Sequence, residues 1–287
     1  EVRHAAPDGL SMGFARLSGG RTSLVVDASV PPKDVSSHNA HASTLAFEMT
    51  SGRRPLIVNC GSGKVFGEDW RSAGRATQSH SVLSIDGYSS ARFAARGSKK
   101  RKLELLVDSP KHVPVQVSEA PDGTRLQAGH DGYDRTHGLT HARTLELTFN
   151  GRGLAGEDML LAMEDASKKR FEKRMDELSL QGVAFSIRFH LHPEVDAALD
   201  MGDTAVSIAQ KSGELWVFRH DGIAELSLEP SVYLEKGRLQ PRATKQIVLT
   251  GRAMDYATRI RWSLSKTQDT AVGVRDLVPD DEPQFLS

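Results

Sequence analysis

Short apolar runs that alternate with polar residues, interrupted again and again by Gly, Pro, Asp and Ser, dominate this chain. They confine it to an antiparallel all-β architecture, because period-two alternation turns one face of a strand to a core and the other to water. The expected strands are 12–17, 22–27, 43–49, 56–60, 81–85, 103–107, 125–130, 144–149, 184–192, 215–220, 224–228, 246–250 and 258–264. Pro121-Asp122-Gly123 and His220-Asp221-Gly222 offer residues that tolerate positive φ, and Asn150-Gly151 is a strong two-residue hairpin signal. One stretch departs from the pattern: 164–180 is built of helix formers, with Phe171, Met175 and Leu178 on one helical face. It reads as a single surface helix inserted between strands. No repeat or linker divides the 287 residues, and all-β domains often run to roughly 200–250 residues. The expected layout is one domain over 1–265 followed by a poorly ordered Asp- and Pro-rich tail, 266–287.

Charge narrows the function classes. Lys plus Arg and Asp plus Glu each number 37, for a net charge of zero, so neither nucleic-acid binding nor a polybasic membrane surface is indicated. An acidic polymer would have to be met by a local site. Cys60 is the single cysteine, which excludes an intramolecular disulfide framework. No apolar run approaches the roughly 18 residues of a spanning helix, and the amino terminus lacks the features of a signal peptide. The chain opens on Glu1 rather than methionine, as a processed product or a fragment would.

Histidines supply most of the candidate chemistry. In His38-Asn39-Ala40-His41-Ala42-Ser43-Thr44-Leu45-Ala46-Phe47, an unbroken strand would turn His41 to the same apolar face as Leu45 and Phe47. A buried imidazole there needs a partner, either a metal or a backbone group. Asn59 ends the apolar strand 56–60, and His80 opens another apolar run; two imidazoles and an oxygen donor at strand ends suit Zn²⁺, although an amide is a poor ligand beside a carboxylate. In Ser186-Ile187-Arg188-Phe189-His190-Leu191-His192, alternation sets Arg188, His190 and His192 on one face, a cationic stripe suited to an acidic sugar or an ordinary solvated sheet face. His130 and Tyr133 belong to a second polar cluster, with Arg135, His137, His141 and Arg143, that would extend such a surface. Gly61-Ser62-Gly63-Lys64 lacks the earlier glycine and the following Ser or Thr of a phosphate loop, the basic run 98–102 reads as a solvated loop, and no Gly-x-Ser-x-Gly elbow is present.

Several of these segments together resemble the carboxy-terminal β-sandwich of heparinase II/III-like polysaccharide lyases. The carriers are Gly19-Gly20-Arg21-Thr22, Ala40-His41-Ala42-Ser43-Thr44-Leu45-Ala46-Phe47-Glu48, Val58-Asn59-Cys60-Gly61, His80-Ser81-Val82-Leu83, His130-Asp131-Gly132-Tyr133, Arg188-Phe189-His190-Leu191-His192-Pro193 and Leu228-Glu229-Pro230-Ser231-Val232-Tyr233-Leu234. The resemblance implies a large antiparallel supersandwich that in such lyases follows an amino-terminal (α/α) toroid, absent from this chain, with the active cleft between the two. It implies β-elimination on a uronic-acid-containing, glycosaminoglycan-like polysaccharide and a cell-envelope or periplasmic location. His41, Asn59 and His80 match the family's zinc ligands, with Asn59 in place of an aspartate. Asn39 stands where the family has a catalytic histidine, so a catalytic role falls to His41 or, with a shift of register, to His38.

Three functions follow as expectations. The first is a lyase domain that acts on acidic polysaccharide only together with its missing toroid and is inactive alone. The second is a non-catalytic carbohydrate-binding or structural sandwich. The third is a metal-dependent enzyme of another class built on His41, His80 and a third ligand.

Overall fold

A computed structural model describes residues 10–98 and 101–269. In chain order its strands are β1 (Leu10–Ser11), β2 (Phe14–Gly19), β3 (Thr22–Asp27), β4 (Phe47–Ser51), β5 (Arg54–Val58), β6 (Leu83–Ile85), β7 (Arg92–Ser98), β8 (Arg101–Asp108), β9 (Val115–Ala120) and β10 (Gly123–Tyr133). They continue as β11 (Leu139–Thr148), β12 (Gly153–Leu161), β13 (Val183–Leu191), β14 (Val195–Asp200), β15 (Ala205–Gln210), β16 (Leu215–His220), β17 (Glu225–Tyr233), β18 (Arg242–Ala253) and β19 (Ala257–Gln268). The helices are α1 (Glu68–Arg75), α2 (Asp134–His137) and α3 (Asp165–Glu177).

Two large antiparallel sheets face each other. The first runs β1-β2-β3-β4-β5-β13-β18-β17, with β6 also on β13; the second runs β14-β15-β16-β19-β12-β11-β10-β9; β7 and β8 form a separate hairpin. Inward residues of both sheets interdigitate, as alternation demands of a sandwich. At the centre Trp262 of β19 stacks on Phe47 of β4 with ring centroids 5.8 Å apart and meets Phe189 of β13 edge-on at 4.7 Å. Gly156 of β12 lies beneath Trp262, where a methyl group would overlap the indole. At one end the Gly19-Gly20 turn packs on the Asn150-Gly151 turn of the other sheet, so tightly that a side chain on Gly151 would overlap the carbonyl of Gly19. Thr22 Oγ1 donates to Gly151 O at 2.7 Å across this seam.

The all-β sandwich agrees with the alternation, and the inserted helix appears as α3. It is not the single helix, however, because α1 and α2 are also present. The expected strand 43–49 begins only at Phe47, since Leu45 has φ +66° and breaks the extended run. The 220–222 turn joins strands of different sheets rather than closing a hairpin. The 98–102 run joins β7 to β8, with 99 and 100 outside the described residues. β19 continues past the expected boundary at 265, and the remainder of the tail, 270–287, lies outside the described residues. Among the described residues no helix is long and apolar enough to cross a membrane.

Candidate functional site: a cleft with a histidine pair

A cleft of about 340 Å³ opens on the outer side of the first sheet, lined by Phe14, Val25, Asp27, His41, Ser43, Ala46, Glu48, Asn59, Gly61 and His80. Register explains the convergence. Phe14 of β2 pairs with Asp27 of β3, and Val25 of β3 pairs with Glu48 of β4. Val25 and Asp27 share a face because they are two residues apart, so Glu48 and Asp27 are diagonal neighbours. The chain leaving β5 adds Asn59 and Gly61, and the segment before β6 adds His80.

His41 reaches the cleft from a loop, not from the strand its alternation suggested. A 3-10 turn, Asp34–Asn39, precedes it, and α1 holds the loop through buried arginines. Arg75 donates to Ala40 O at 2.8 Å, to Ser37 O at 3.0 Å and to Glu104 Oε2 at 2.8 Å, while Arg71 donates to His38 O at 2.6 Å. Thr77 Oγ1 donates to Ala42 O at 2.7 Å. His38 therefore packs on Arg71, with its ring Nδ1 3.2 Å from the guanidinium, and is not part of the cleft lining. Asn39 is exposed at the end of the 3-10 turn.

The two cleft histidines form a directional pair. His80 Nδ1 lies 2.8 Å from the Ala76 carbonyl, which can only accept, so this nitrogen carries the hydrogen. Burial pushes the His80 pKa down to about 3, with the neighbouring His41 adding to the effect. The ring is thus neutral, and its Nε2 accepts from His41 Nδ1 at 3.0 Å. Burial, then Arg75 and Arg71, lower His41 to about 4; its Nε2 is left as an acceptor. Asn59 is locked as well: Oδ1 accepts the Ser81 N–H at 2.9 Å, and Nδ2 donates to Glu48 Oε1 at 3.1 Å.

This donor set does not fit zinc. The facing nitrogens of His41 and His80 are hydrogen-bonded to each other, the Asn59 oxygen is turned to a backbone amide, and among the described residues no three His, Cys, Asp or Glu side chains converge as metal ligands.

The expected cationic stripe on β13 has the predicted parity but not the predicted exposure. His190 is 3% exposed, with Nε2 3.0 Å from Gln78 O and Nδ1 2.8 Å from Ser231 Oγ, and burial lowers its pKa to about 4. His192 is buried edge-on to Tyr233 at 5.1 Å, and Arg188 donates to Ser84 Oγ at 2.9 Å. The face reads as a sheet surface in sequence because Gln78 and Ser231, which cover it, are remote in the chain. Tyr133 is buried, donates to Leu83 O at 3.2 Å, and has its pKa raised by burial.

His130 lies on β10 of the second sheet, where it borders a separate pocket with His112 and Asp131 and not the cleft, and heads a buried chain of contacts. Gly132 N–H donates to His130 Nδ1 at 3.0 Å, His130 Nε2 faces His141 Nδ1 at 3.3 Å, and His141 Nε2 faces Asp158 Oδ1 at 2.7 Å. Both rings are neutral in this sequence of contacts, in keeping with pKa values lowered chiefly by burial. Arg143 donates to Asp158 Oδ1 at 2.8 Å and sends NH1 across the sandwich to Leu45 O and Ser81 O, each at 2.9 Å. It thereby braces the two segments that carry His41 and His80. The expected surface cluster that included His141 and Arg143 is therefore a buried strut, with His137 buried as well, and sequence reasoning overlooked the α1 arginines and the outward carboxylates Asp27 and Glu48, for which the alternation of β3 and β4 was the available signal.

The heparinase II/III-like, C-terminal family matches residues 1–263. The chain belongs to the heparinase II/III-like family. FtsZ-localized protein C of Caulobacter vibrioides is 30% identical to this heparinase II/III-like chain over 258 residues, which are 89% of the chain and 42% of that protein. A heparinase III gene product superposes with TM-score 0.65 at 14% identity, over 92% of this chain and 36% of its own. A mutant of heparan sulfate lyase HepC from Pedobacter heparinus gives TM-score 0.65 at 14% identity, over 90% of this chain and 36% of its own. The heparinase II/III-like domain thus spans well under half of each of these larger proteins, and the structural likeness establishes the sandwich fold.

Proposed function

We propose that this chain is the carboxy-terminal sandwich of a polysaccharide lyase acting on uronic-acid-containing glycan by β-elimination, and that the His41–His80 cleft is one wall of a glycan site completed by a second domain. One observation carries the reading: the cleft has an apolar, solvent-exposed rim. Phe14 and Val25 line it and are 48% and 42% exposed, while Met12, Val35 and Val65, on segments leading into it, are 96%, 69% and 65% exposed. Unpartnered apolar surface beside a polar cleft is what a docking partner would cover. The lyases among its structural relatives, each nearly three times the matched length, support the same reading.

In this proposal the described residues bind and orient sugar, and the groups that neutralise the uronate and remove its proton lie in the second domain. The chain alone is inactive. The test is to incubate a version extended through the missing domain, and the chain alone, with uronate-containing polysaccharides while following the ultraviolet absorbance of the unsaturated product. Product from the extended protein alone supports the proposal. Glycan binding without product by the extended protein would favour a non-catalytic carbohydrate-binding sandwich.

The Caulobacter relative motivates a proposal on location: recruitment to FtsZ assemblies at the cell envelope. A fluorescent fusion that stays diffuse through division would rule it out.

A further inference from the structure

The hydrogen-bond polarity of the cleft specifies the sugar unit that it takes, given its reading as a glycan site. The neutral side-chain donors lining it are largely engaged with its own carboxylates: Ser43 Oγ donates to Asp27 Oδ2 at 2.6 Å, and Asn59 Nδ2 gives one of its two hydrogens to Glu48 Oε1 at 3.1 Å. The imidazole pair is polarised in one direction, from the Ala76 carbonyl outward, so that its free end, His41 Nε2, is a lone pair. Glu48 Oε2 is a second unengaged acceptor on an exposed carboxylate. No lysine or arginine lines the cleft, and neither Asp27 nor Glu48 has an ion-pair partner among the described residues. The Asp27 carboxyl is pushed up by burial, as expected of a half-buried acid without a counter-cation.

A carboxylate or sulfate entering this cleft would meet mostly acceptors and the like charge of Asp27 and Glu48, because Arg71 and Arg75, whose charges reach His41, are engaged with loop carbonyls and Glu104 behind it. An ammonium group brings three donors to the same acceptors. The apolar side chain of Phe14, set opposite Asp27 in the strand register, offers a wall for the C–H face of a pyranose.

We propose that the cleft binds the unsubstituted, protonated amine of an amino-sugar unit, with Glu48 as its anionic contact and His41 Nε2 accepting a second hydrogen. Any uronate carboxylates of the same polymer are then held outside this cleft. The inference concerns the subsite and depends on the cleft being a glycan site at all.

Calorimetric titration of the 287-residue chain with oligomers of glucosamine, N-acetylglucosamine and a uronic acid tests it, at a pH where the sugar amine is protonated and His41 is neutral. Glucosamine oligomers are expected to bind at least about tenfold more tightly than the other two. Glu48→Gln, which keeps the oxygen that receives the Asn59 amide, should weaken that binding about tenfold or more, the scale of one charge-assisted contact. Glu119→Gln, an exposed acid on β9 in the other sheet, should leave it unchanged. Equal loss in both variants would mean diffuse attraction and overturn the proposal. Preference for the uronic-acid oligomer would also overturn it while leaving the glycan site standing. No binding of any oligomer would remove the glycan reading itself, and the amine subsite with it.

Discussion

His41 and His190 are held near pKa 4 and His80 near 3, each mainly by burial, against an ordinary value of 6.5. As pH falls, the unfolded chain takes up these protons before the folded one does. Stability from this source is therefore fully present above about pH 6.5, falls as pH drops below it, and stops falling near pH 4 to 3 as the folded rings titrate. The melting temperature should decline steadily across that window; a flat profile would mean that these rings are not neutral in the fold. Zinc gives a second residue-level test. With the His41 and His80 nitrogens facing each other, neither zinc nor a chelator should shift the melting temperature, and a zinc-induced rise of several degrees would contradict the hydrogen-bonded pair. The Arg143–Asp158 pair is the third. Both side chains are buried, and Asp158 also accepts from Trp262 Nε1 at 2.9 Å. Arg143→Met leaves a buried carboxylate without its cation and should cost about 3–5 kcal/mol in denaturant unfolding, the range for broken buried pairs. A loss below about 1 kcal/mol would show that His141 and Trp262 suffice.

Among the elements, α1 matters more to the cleft than its eight residues suggest. Its buried side is made of Arg71, Gly74 and Arg75 rather than of apolar residues, so it buries guanidinium groups against loop carbonyls. Arg75→Ala is expected to loosen the 34–42 loop: proteolytic cleavage there should accelerate, glycan affinity should fall, and the circular dichroism of the sandwich should persist. Unchanged cleavage would mean that Arg71 and Thr77 suffice to fix the loop. The same composition hid α1 from sequence reasoning, which looks for an apolar stripe. Strands with clean alternation were legible: β3 and β16 have the bounds that their patterns predict. β12 was not, because Gly153, Ala155 and Gly156 weaken its pattern, Gly156 being there to clear the Trp262 indole. The strand before β4 was over-read because nothing in Ala42-Ser43-Thr44-Leu45 announces a positive φ at a leucine.

For the whole molecule, the sandwich form and the family were legible because they rest on many weak local signals that agree. The cleft was legible only in part. His41, Asn59 and His80 do meet, yet their meeting depends on β2, β3 and β4 lying side by side and on three arginines, Arg71 and Arg75 of α1 and Arg143 of β11. The orientation of an imidazole pair is set by a backbone carbonyl, and no residue type encodes that. The β13 stripe failed for the converse reason, since alternation assigns a face but cannot say what covers it.

Glycan is expected at this cleft and not on the outer face of the second sheet, where Arg125, Glu146, Glu157 and Arg261 line a separate groove. Chemical-shift mapping of the isotopically labelled chain during titration with glycan oligomers addresses it most directly. The largest shifts are expected on the amides of Asp27, His41, Ser43, Glu48, Asn59 and His80. Shifts concentrated around Arg125 and Arg261, with the histidine cleft silent, would contradict it.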